Sequence, residues 1–370
     1  MQFDVVANAA ATAARAGLLH TPHGVIETPA FMPVGTQATV KGLLPSDLLP
    51  IRPQCVLANA YHLALRPGAA MVARRGGVHA FMRWDGPMLT DSGGYQVFSL
   101  SDLRDVDDHG VTIRSHLSGR ARRFTPASVI KIEEQIGADI IMPLDVCIGY
   151  PSSRAETELA LERTHVWAMQ ALRAQRRPDQ ALFAIVQGGM EPDLRVQAAR
   201  ALASEPFPGF AIGGLSVGEP RALCDELVAL TATELPTDRP RYLMGVGEPD
   251  QLLTYAAAGI DMFDCVLPTR LGRTGYAYTS AGKLNVSRAA LRQERGPLDA
   301  DCSCWTCSRY SRGYLHHLFR AGEPLGARLV SLHNVAYLVN LLRAFRASLI
   351  AAATSAPANP DAPAATHPLG

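Results

Sequence analysis

ALFAIVQGGMEPDLRVQAARALASEPFPGFAIGGLS, residues 181–216, carries the pattern on which the architecture turns. Two short apolar, β-branched runs, LFAIVQGG (182–189) and FAIGGLS (210–216), each lead into glycines, and a helix-like amphipathic stretch separates them. Strand, helix, strand in that order reads as one unit of a parallel sheet. Outwards from it lie VIETPAFMPVG (25–35), CVLAN (55–59), MLTDSGG (88–94) and DIIMPLDVC (139–147) on one side, and RYLMGVG (241–247) and MFDCVLP (262–268) on the other. Helix signals fill the intervals, as in TPASVIKIEEQIGA, where Thr125 suits the N-cap and Pro126 the first helical position. The same alternation permits an open doubly wound sheet, but eight repeats favour a (β/α)8 TIM barrel.

One interval is long. About 45 residues separate the third and fourth runs, and VTIRSHL and ARRFT there flank the turn signal Ser118-Gly119, which predicts an inserted hairpin. After the eighth run about 80 residues remain, too many for a closing helix. The predicted organisation is a barrel over 1–284, a subdomain over 285–350 that is packed on it and carries the cysteine cluster Cys302, Cys304 and Cys307, and a flexible Ala- and Pro-rich tail over 351–370.

Composition agrees with a globular chain: 48% of the 370 residues are hydrophobic, 19% are charged, and the net charge is only +1. That excludes a disordered or polybasic protein. No run approaches 18 apolar residues, and the N-terminus lacks a basic segment followed by an apolar one, so no membrane association is expected and a cytoplasmic location is. Three of the seven cysteines crowd into Cys302-x-Cys304-x-x-Cys307, which is no secreted disulfide framework. Three thiolates within one turn suit a tetrahedral cation such as zinc and leave a fourth ligand to be supplied; His316, His317 and His333 all lie within reach in sequence.

In a barrel the reactive groups stand at the C-terminal ends of the strands. Those ends are Asp91 in DSGGYQ, Asp145, Gln187, the Gly213-Gly214-Leu215 turn and Asp264. Burying three carboxylates at one mouth is costly unless each has a task. Two of them facing an anomeric carbon could serve as nucleophile and general acid/base in retaining glycosyl transfer. The third could accept the N1–H and N2–H pair of guanine, with donors to its O6 from the Gln187 amide and the Gly214 N–H. Nearby, Pro268 to Arg320 holds nine basic against three acidic side chains, a surface suited to phosphates, and Arg270 and Arg273 lie closest to Asp264 in sequence.

DSGGYQVFSL, MPLDVC, IVQGG, AIGGLSVGE, LMGVG, GIDMFDCVLPTR and the CSCWTC, YLHHL and HN series, in that order from about Gly24 to Leu342, resemble bacterial tRNA-guanine transglycosylase. The resemblance implies exchange of guanine at the anticodon wobble position of tRNA for 7-aminomethyl-7-deazaguanine, a step towards queuosine. By motif position, Asp264 would be the nucleophile at C1′ and Asp91 the general acid/base. Asp145, Gln187 and Gly214 would read the guanine edge, Tyr95 and Met244 would sandwich the base, and Gly213 would lie in the same turn. The Leu215 carbonyl would meet the aminomethyl group with Glu219 supporting that peptide, and Cys147 and Val217 would limit substrate size. The resemblance also implies His333 as fourth ligand of one structural Zn2+, RNA contacts at Arg270 and Arg273, and a homodimer formed through the zinc-bearing region.

The sequence departs from the family pattern at Val146-Cys147-Ile148-Gly149, where Glu-Cys-Thr-Pro is usual, at Thr274, usually Asn, and at Glu248, where Lys is common. Two other classes fit less well. A noncatalytic RNA-binding subunit would have little reason to keep Asp91, Asp145, Gln187 and Asp264 together. A barrel aldolase would carry a Schiff-base lysine at a strand end, and the only lysines, Lys41, Lys131 and Lys283, end none.

Overall fold

The computed structural model describes residues 1–94, 104–115 and 119–355. Its centre is eight parallel strand positions: β1 (Ala30–Pro33), β2 (Val56–Asn59), β3 (Met88–Asp91), β4 (Ile140–Ile141), β5 (Ala181–Leu182 and Ala184–Val186), β6 (Phe210–Ile212), β7 (Arg241–Leu243) and β8 (Met262–Cys265). Two hydrogen-bonded sets run β5-β4-β3-β2 and β5-β6-β7-β8-β1, with the two segments of β5 divided between them. An isolated parallel bridge, Val34 with Leu57, links the end of β1 to β2.

These strands read as unbroken apolar runs because both faces are covered. Successive residues alternate between two packed layers, as the two-residue period of a strand requires. Phe31, Val186, Ile212 and Phe263 join the layer beneath the helices. Ala30, Met32, Ile185, Ala211 and Met262 join a second cluster on the opposite face. The principal helices between strands are α1 (Ala60–Leu65), α2 (Pro126–Ile136), α3 (Arg154–Ala174), α4 (Pro192–Ala203), α5 (Arg221–Thr233) and α6 (Pro249–Ala257). The α2 start agrees with its sequence signals: Thr125 Oγ1 accepts from Ser128 N at 3.2 Å and Pro126 opens the helix, while Gly137, at φ 79°, ends it.

Several expectations need correction. The run 25–35 is not one strand: Gly24–Thr28 belongs to an antiparallel N-terminal sheet with Gln2–Asn8 and Arg15–Thr21, and the parallel strand begins only at Ala30, after Pro29. A proline cannot donate to a ladder, so the chain changes sheet there. The insertion is a three-stranded sheet rather than a hairpin: Gly110–Arg114 pairs with Ala121–Phe124 as expected, and also with Arg104–Asp107, a polar strand without a hydrophobic signal. Ser118 lies outside the described residues, as do 356–370 of the expected tail, whereas Ala351–Ser355 continue a helix.

Beyond β8 come α7 (Leu267–Arg273), a hairpin of Tyr276–Thr279 with Gly282–Asn285, the short α8 (Trp305–Arg309), α9 (Arg312–Ala321) and the 32-residue α10 (Pro324–Ser355). By length and composition α10 could cross a membrane, with an 18-residue window of mean hydropathy 1.4. Asn334, Asn340 and Arg343 interrupt its apolar run. Leu332, Val335, Leu338, Val339 and Leu342 pack in the same core as Phe31 and Phe263, which accounts for its apolarity.

Candidate active site

The parallel strands place the predicted carboxylates at their C-terminal ends. Asp91 closes β3, Asp264 lies in β8, and Asp145 follows β4. Asp91 and Asp145 are buried, while Asp264 is partly exposed. Burial first, and then the charges of Asp145 and Asp264, push the Asp91 carboxyl up to about 7. Burial likewise raises Asp145 to about 6 and Asp264 above its ordinary value. Burial is the largest cause for all three, and Asp91 alone also feels the charges of the other two.

Each carboxylate has a separate anchor. Asn59 Nδ2 donates to Asp91 Oδ2 at 2.7 Å, Gln187 Nε2 donates to Asp145 Oδ2 at 2.7 Å, and Asp264 Oδ1 accepts from the Tyr242 hydroxyl at 2.6 Å and from Gly245 N at 2.8 Å. Gln187 therefore spends one amide hydrogen on Asp145, and the second remains for a ligand. Behind Asp91, the Thr90 hydroxyl donates to Glu133, a fully buried acid whose burial pushes it well above the usual range.

Glycines set the walls. A Cβ on Gly94 would stand 1.7 Å from Asp145 Oδ1, and one on Gly214, at φ 66°, would stand 2.1 Å from Gln187 Oε1. Neither position admits a side chain. Gly213 lies against Gln187 and Met244, Leu215 is buried, and Val217 is half-buried. Ser216 N and Val217 N donate to Glu219 at 2.5 and 2.9 Å; burial opposes ionisation of that carboxyl, and these peptide donors outweigh it and hold it below its ordinary value. Cys147 is buried two residues beyond Asp145. Tyr95 lies outside the described residues.

Arg270 and Arg273 are exposed on one face of α7, directly after β8. Glu248 pairs with Lys283 at 2.6 Å, so one cation of the basic stretch is already neutralised. Val146 is buried with Leu144 and Trp167, so this departure from the family pattern lies in the core rather than at the pocket's edge.

Cys302, Cys304, Cys307 and His333 place their ligand atoms within 4.8 Å of one another and could hold a metal ion. His333 Nδ1 stands 3.5 Å from Cys304 Sγ and 3.2 Å from Cys307 Sγ, and its Nε2 lies 2.6 Å from the Tyr278 carbonyl. That carbonyl fixes the tautomer that leaves Nδ1 free to ligate. Of the three candidate histidines, His333 is the one in the cluster; His316 Nδ1 instead faces Val286 O at 3.0 Å.

Sequence reasoning missed Asn59, Tyr242, Glu133 and Arg195. Asn59 ends a strand and so carried a usable signal. Tyr242 lies within β7 and Glu133 and Arg195 within helices, where spacing gives no hint of which way a side chain turns.

A family model described as queuine tRNA-ribosyltransferase matches residues 10–356. The chain is 53% identical over 337 residues to a queuine tRNA-ribosyltransferase of Herpetosiphon aurantiacus, covering 91% of this chain and 86% of that one. It is 50% identical over 351 residues to one of Acetivibrio thermocellus, covering 95% and 94%, and 50% identical over 347 residues to one of Moorella thermoacetica, covering 94% and 93%.

Proposed function

Because the chain belongs to the queuine tRNA-ribosyltransferase family, we propose that it is a tRNA-guanine transglycosylase that replaces the wobble guanine by 7-aminomethyl-7-deazaguanine through a covalent enzyme–ribose intermediate. The observation that carries this reading is the placement of Asp91, Asp145 and Asp264 at the C-terminal ends of three parallel strands, each held by its own hydrogen-bond partner. Three carboxylates in one pocket, with three different hydrogen-bond anchors, suit three different tasks.

Asp264 attacks C1′ of the ribose, the C1′–N9 bond breaks, and guanine leaves as Asp91 gives it a proton. A carboxyl poised near pH 7 serves both directions of that transfer. Asp91 then takes a proton from the incoming base, whose N9 displaces Asp264 from C1′, so two inversions give retention. Asp145 accepts N1–H and N2–H of the base, while Gln187 and Gly214 N–H donate to O6. Tyr95 and Met244 hold the ring plane. The Leu215 carbonyl accepts from the aminomethyl group, with Glu219 bracing the turn. Cys147 and Val217 leave no room for a larger substituent, so queuine itself should be incorporated far more slowly than the aminomethyl base; equal rates would remove this assignment of size.

We read the two parallel sets as one closed (β/α)8 barrel over 1–284. The Val34–Leu57 bridge favours closure, as do the bonds from Phe183 N to Ile141 O and from Ala184 N to Gly209 O across the divided β5. The Cys3His cluster suits Zn2+, which when bound clamps residues 285–350 together without a part in the chemistry. Arg270 and Arg273 face the anticodon loop in cytoplasmic tRNA. A homodimer formed through the zinc-bearing region is supported by the exposed Trp305 and Tyr314, between which the half-buried Tyr310 stacks on Tyr314 at 5.3 Å.

The test is incubation of the protein with tRNA and labelled guanine, alongside Asp264→Asn. Exchange by the wild type, with a loss of at least ~10³-fold and no denaturation-resistant tRNA adduct in the variant, is expected. An adduct or exchange that survives in Asp264→Asn would assign the nucleophile elsewhere.

A further inference from the structure

Arg195 is a fully buried arginine on α4. Its Nε donates to Gly189 O at 2.7 Å, and its Nη2 donates to Gly213 O at 3.1 Å and to Gly214 O at 3.3 Å. No carboxylate lies within 4 Å of it among the described residues, and Nη1 has no partner there. A buried cation with no carboxylate in contact is expensive; the charge of Glu219 acts on it from beyond contact, and the surrounding dipoles help repay the cost. Here those dipoles are carbonyls of two strand-end loops, one after β5 and one after β6. Burial lowers its proton affinity only to about 10, so the guanidinium stays charged at neutral pH.

The direction of these bonds matters more than their number. In a trans peptide the C=O and the N–H point to opposite sides. A Gly213 carbonyl turned onto Arg195 therefore turns the Gly214 N–H away from it, and the Gly214 carbonyl does the same to the Leu215 N–H. Among the described residues neither N–H meets a protein acceptor. The Gln187 amide packs against the same turn: Cβ atoms on Gly213 and Gly214 would strike Gln187 Nε2 at 2.9 Å and Oε1 at 2.1 Å, the second of them also 3.6 Å from Arg195 Nη2. A cation bound to the carbonyl end of a peptide also withdraws charge from its N–H, which makes that N–H a stronger donor.

We propose that Arg195 is a positioning residue for base recognition: through the Gly213 and Gly214 carbonyls it fixes and polarises two backbone N–H donors towards the six-position oxygen of the purine. This rests on the reading of the site as a guanine pocket. Arg195 itself touches no substrate. It works from behind the turn, and the one carboxylate whose charge acts on it is that of Glu219.

Wild type, Arg195→Gln and Arg195→Lys are compared in labelled-guanine exchange, with unlabelled guanine and 2-aminopurine, which lacks the six-position oxygen, as competing bases. In Arg195→Gln the inhibition constant for guanine should rise about 10- to 100-fold, the loss expected when a charge-assisted hydrogen-bonding arrangement is removed, while that for 2-aminopurine moves less than about threefold. KM for tRNA should not change. Arg195→Lys, which keeps the cation on a smaller head, should fall between the two and gives the same comparison should the glutamine variant fail to fold. Equal weakening of both bases, or a guanine preference retained in both variants, overturns the assignment. A wild type that exchanges no guanine, or that binds both bases equally, would instead overturn the guanine pocket itself.

Discussion

The Tyr242 hydroxyl donates a 2.6 Å hydrogen bond to Asp264 Oδ1, from the strand beside that of the acid it serves. Burial raises the Asp264 carboxyl, and this hydrogen bond, with that from Gly245 N, opposes the rise by stabilising the ionised form. The phenol stays protonated, since burial and the Asp264 charge push it well above its ordinary range. In Tyr242→Phe the carboxyl should therefore rise further, and the acid limb of the kcat/KM profile should move to higher pH. Activity near pH 6 should fall about fivefold, the worth of one hydrogen bond. A limb that stays in place would mean that the phenol does not tune the proposed nucleophile.

Asp91 is held at about 7 in the folded chain against about 3.8 when unfolded. Between those values the folded state keeps a proton that the unfolded chain has released, so wild-type stability falls as pH rises from about 4 to 7, and Asp145, at about 6, adds to the same slope. Asp91→Asn removes the larger contribution. It should be more stable than wild type at pH 8, by an order of 2–4 kcal/mol at most, and no more stable at pH 4. Base exchange should drop at least ~10²-fold. Thermal melts at the two pH values decide it, and a variant less stable at pH 8 would contradict the sign.

Glu248 occupies Lys283 at 2.6 Å. Both side chains are partly exposed, so the pair contributes at most about 1 kcal/mol to stability. Its removal in Glu248→Gln returns one cation to the face that carries Arg270 and Arg273. tRNA should bind several-fold more tightly at low salt, and the slope of log K against log salt should steepen by about one. Weaker binding would mean that this face does not meet RNA.

Arg270→Ala and Arg273→Ala should act in the opposite direction. Each should raise KM for tRNA and flatten the salt slope by about one, with the melting temperature unchanged to within about 2 °C. An unaltered slope in both would move the RNA elsewhere.

Cys307→Ser removes one of the four converging ligands. The bound zinc, measured by metal analysis, should fall from one per chain to well below, with a stability loss of a few kcal/mol. Activity of the fraction still folded should persist, because the cluster lies outside the reacting groups. A full equivalent of zinc in the variant would exclude Cys307 as a ligand.

The strand-end assignments show how far one-dimensional information reaches. A strand has period two and a helix 3.6, so runs such as LFAIVQGG and FAIGGLS announce their type and which residue comes last. Asp91, Asp145, Gln187 and Asp264 followed from that alone, and the cysteine spacing announced a metal cluster. The Arg104–Asp107 strand escaped notice because it is polar and is defined only by its partner, Gly110–Arg114. Distance along the chain likewise says nothing about which side of a loop meets Trp167, against which Val146 is buried.

Local propensity and residue order thus established the alternation of elements, the helix starts and the residues offered at strand ends, since each depends on interactions within a few positions. The choice of His333 over His316, the anchoring of Asp264 by Tyr242, the neutralisation of Lys283 by Glu248 and the grip of Arg195 on two glycine carbonyls came from packing. Those contacts join residues as few as 18 and as many as 35 positions apart, on different elements. Their geometry is set by how whole layers dock, and no property of a short segment encodes it.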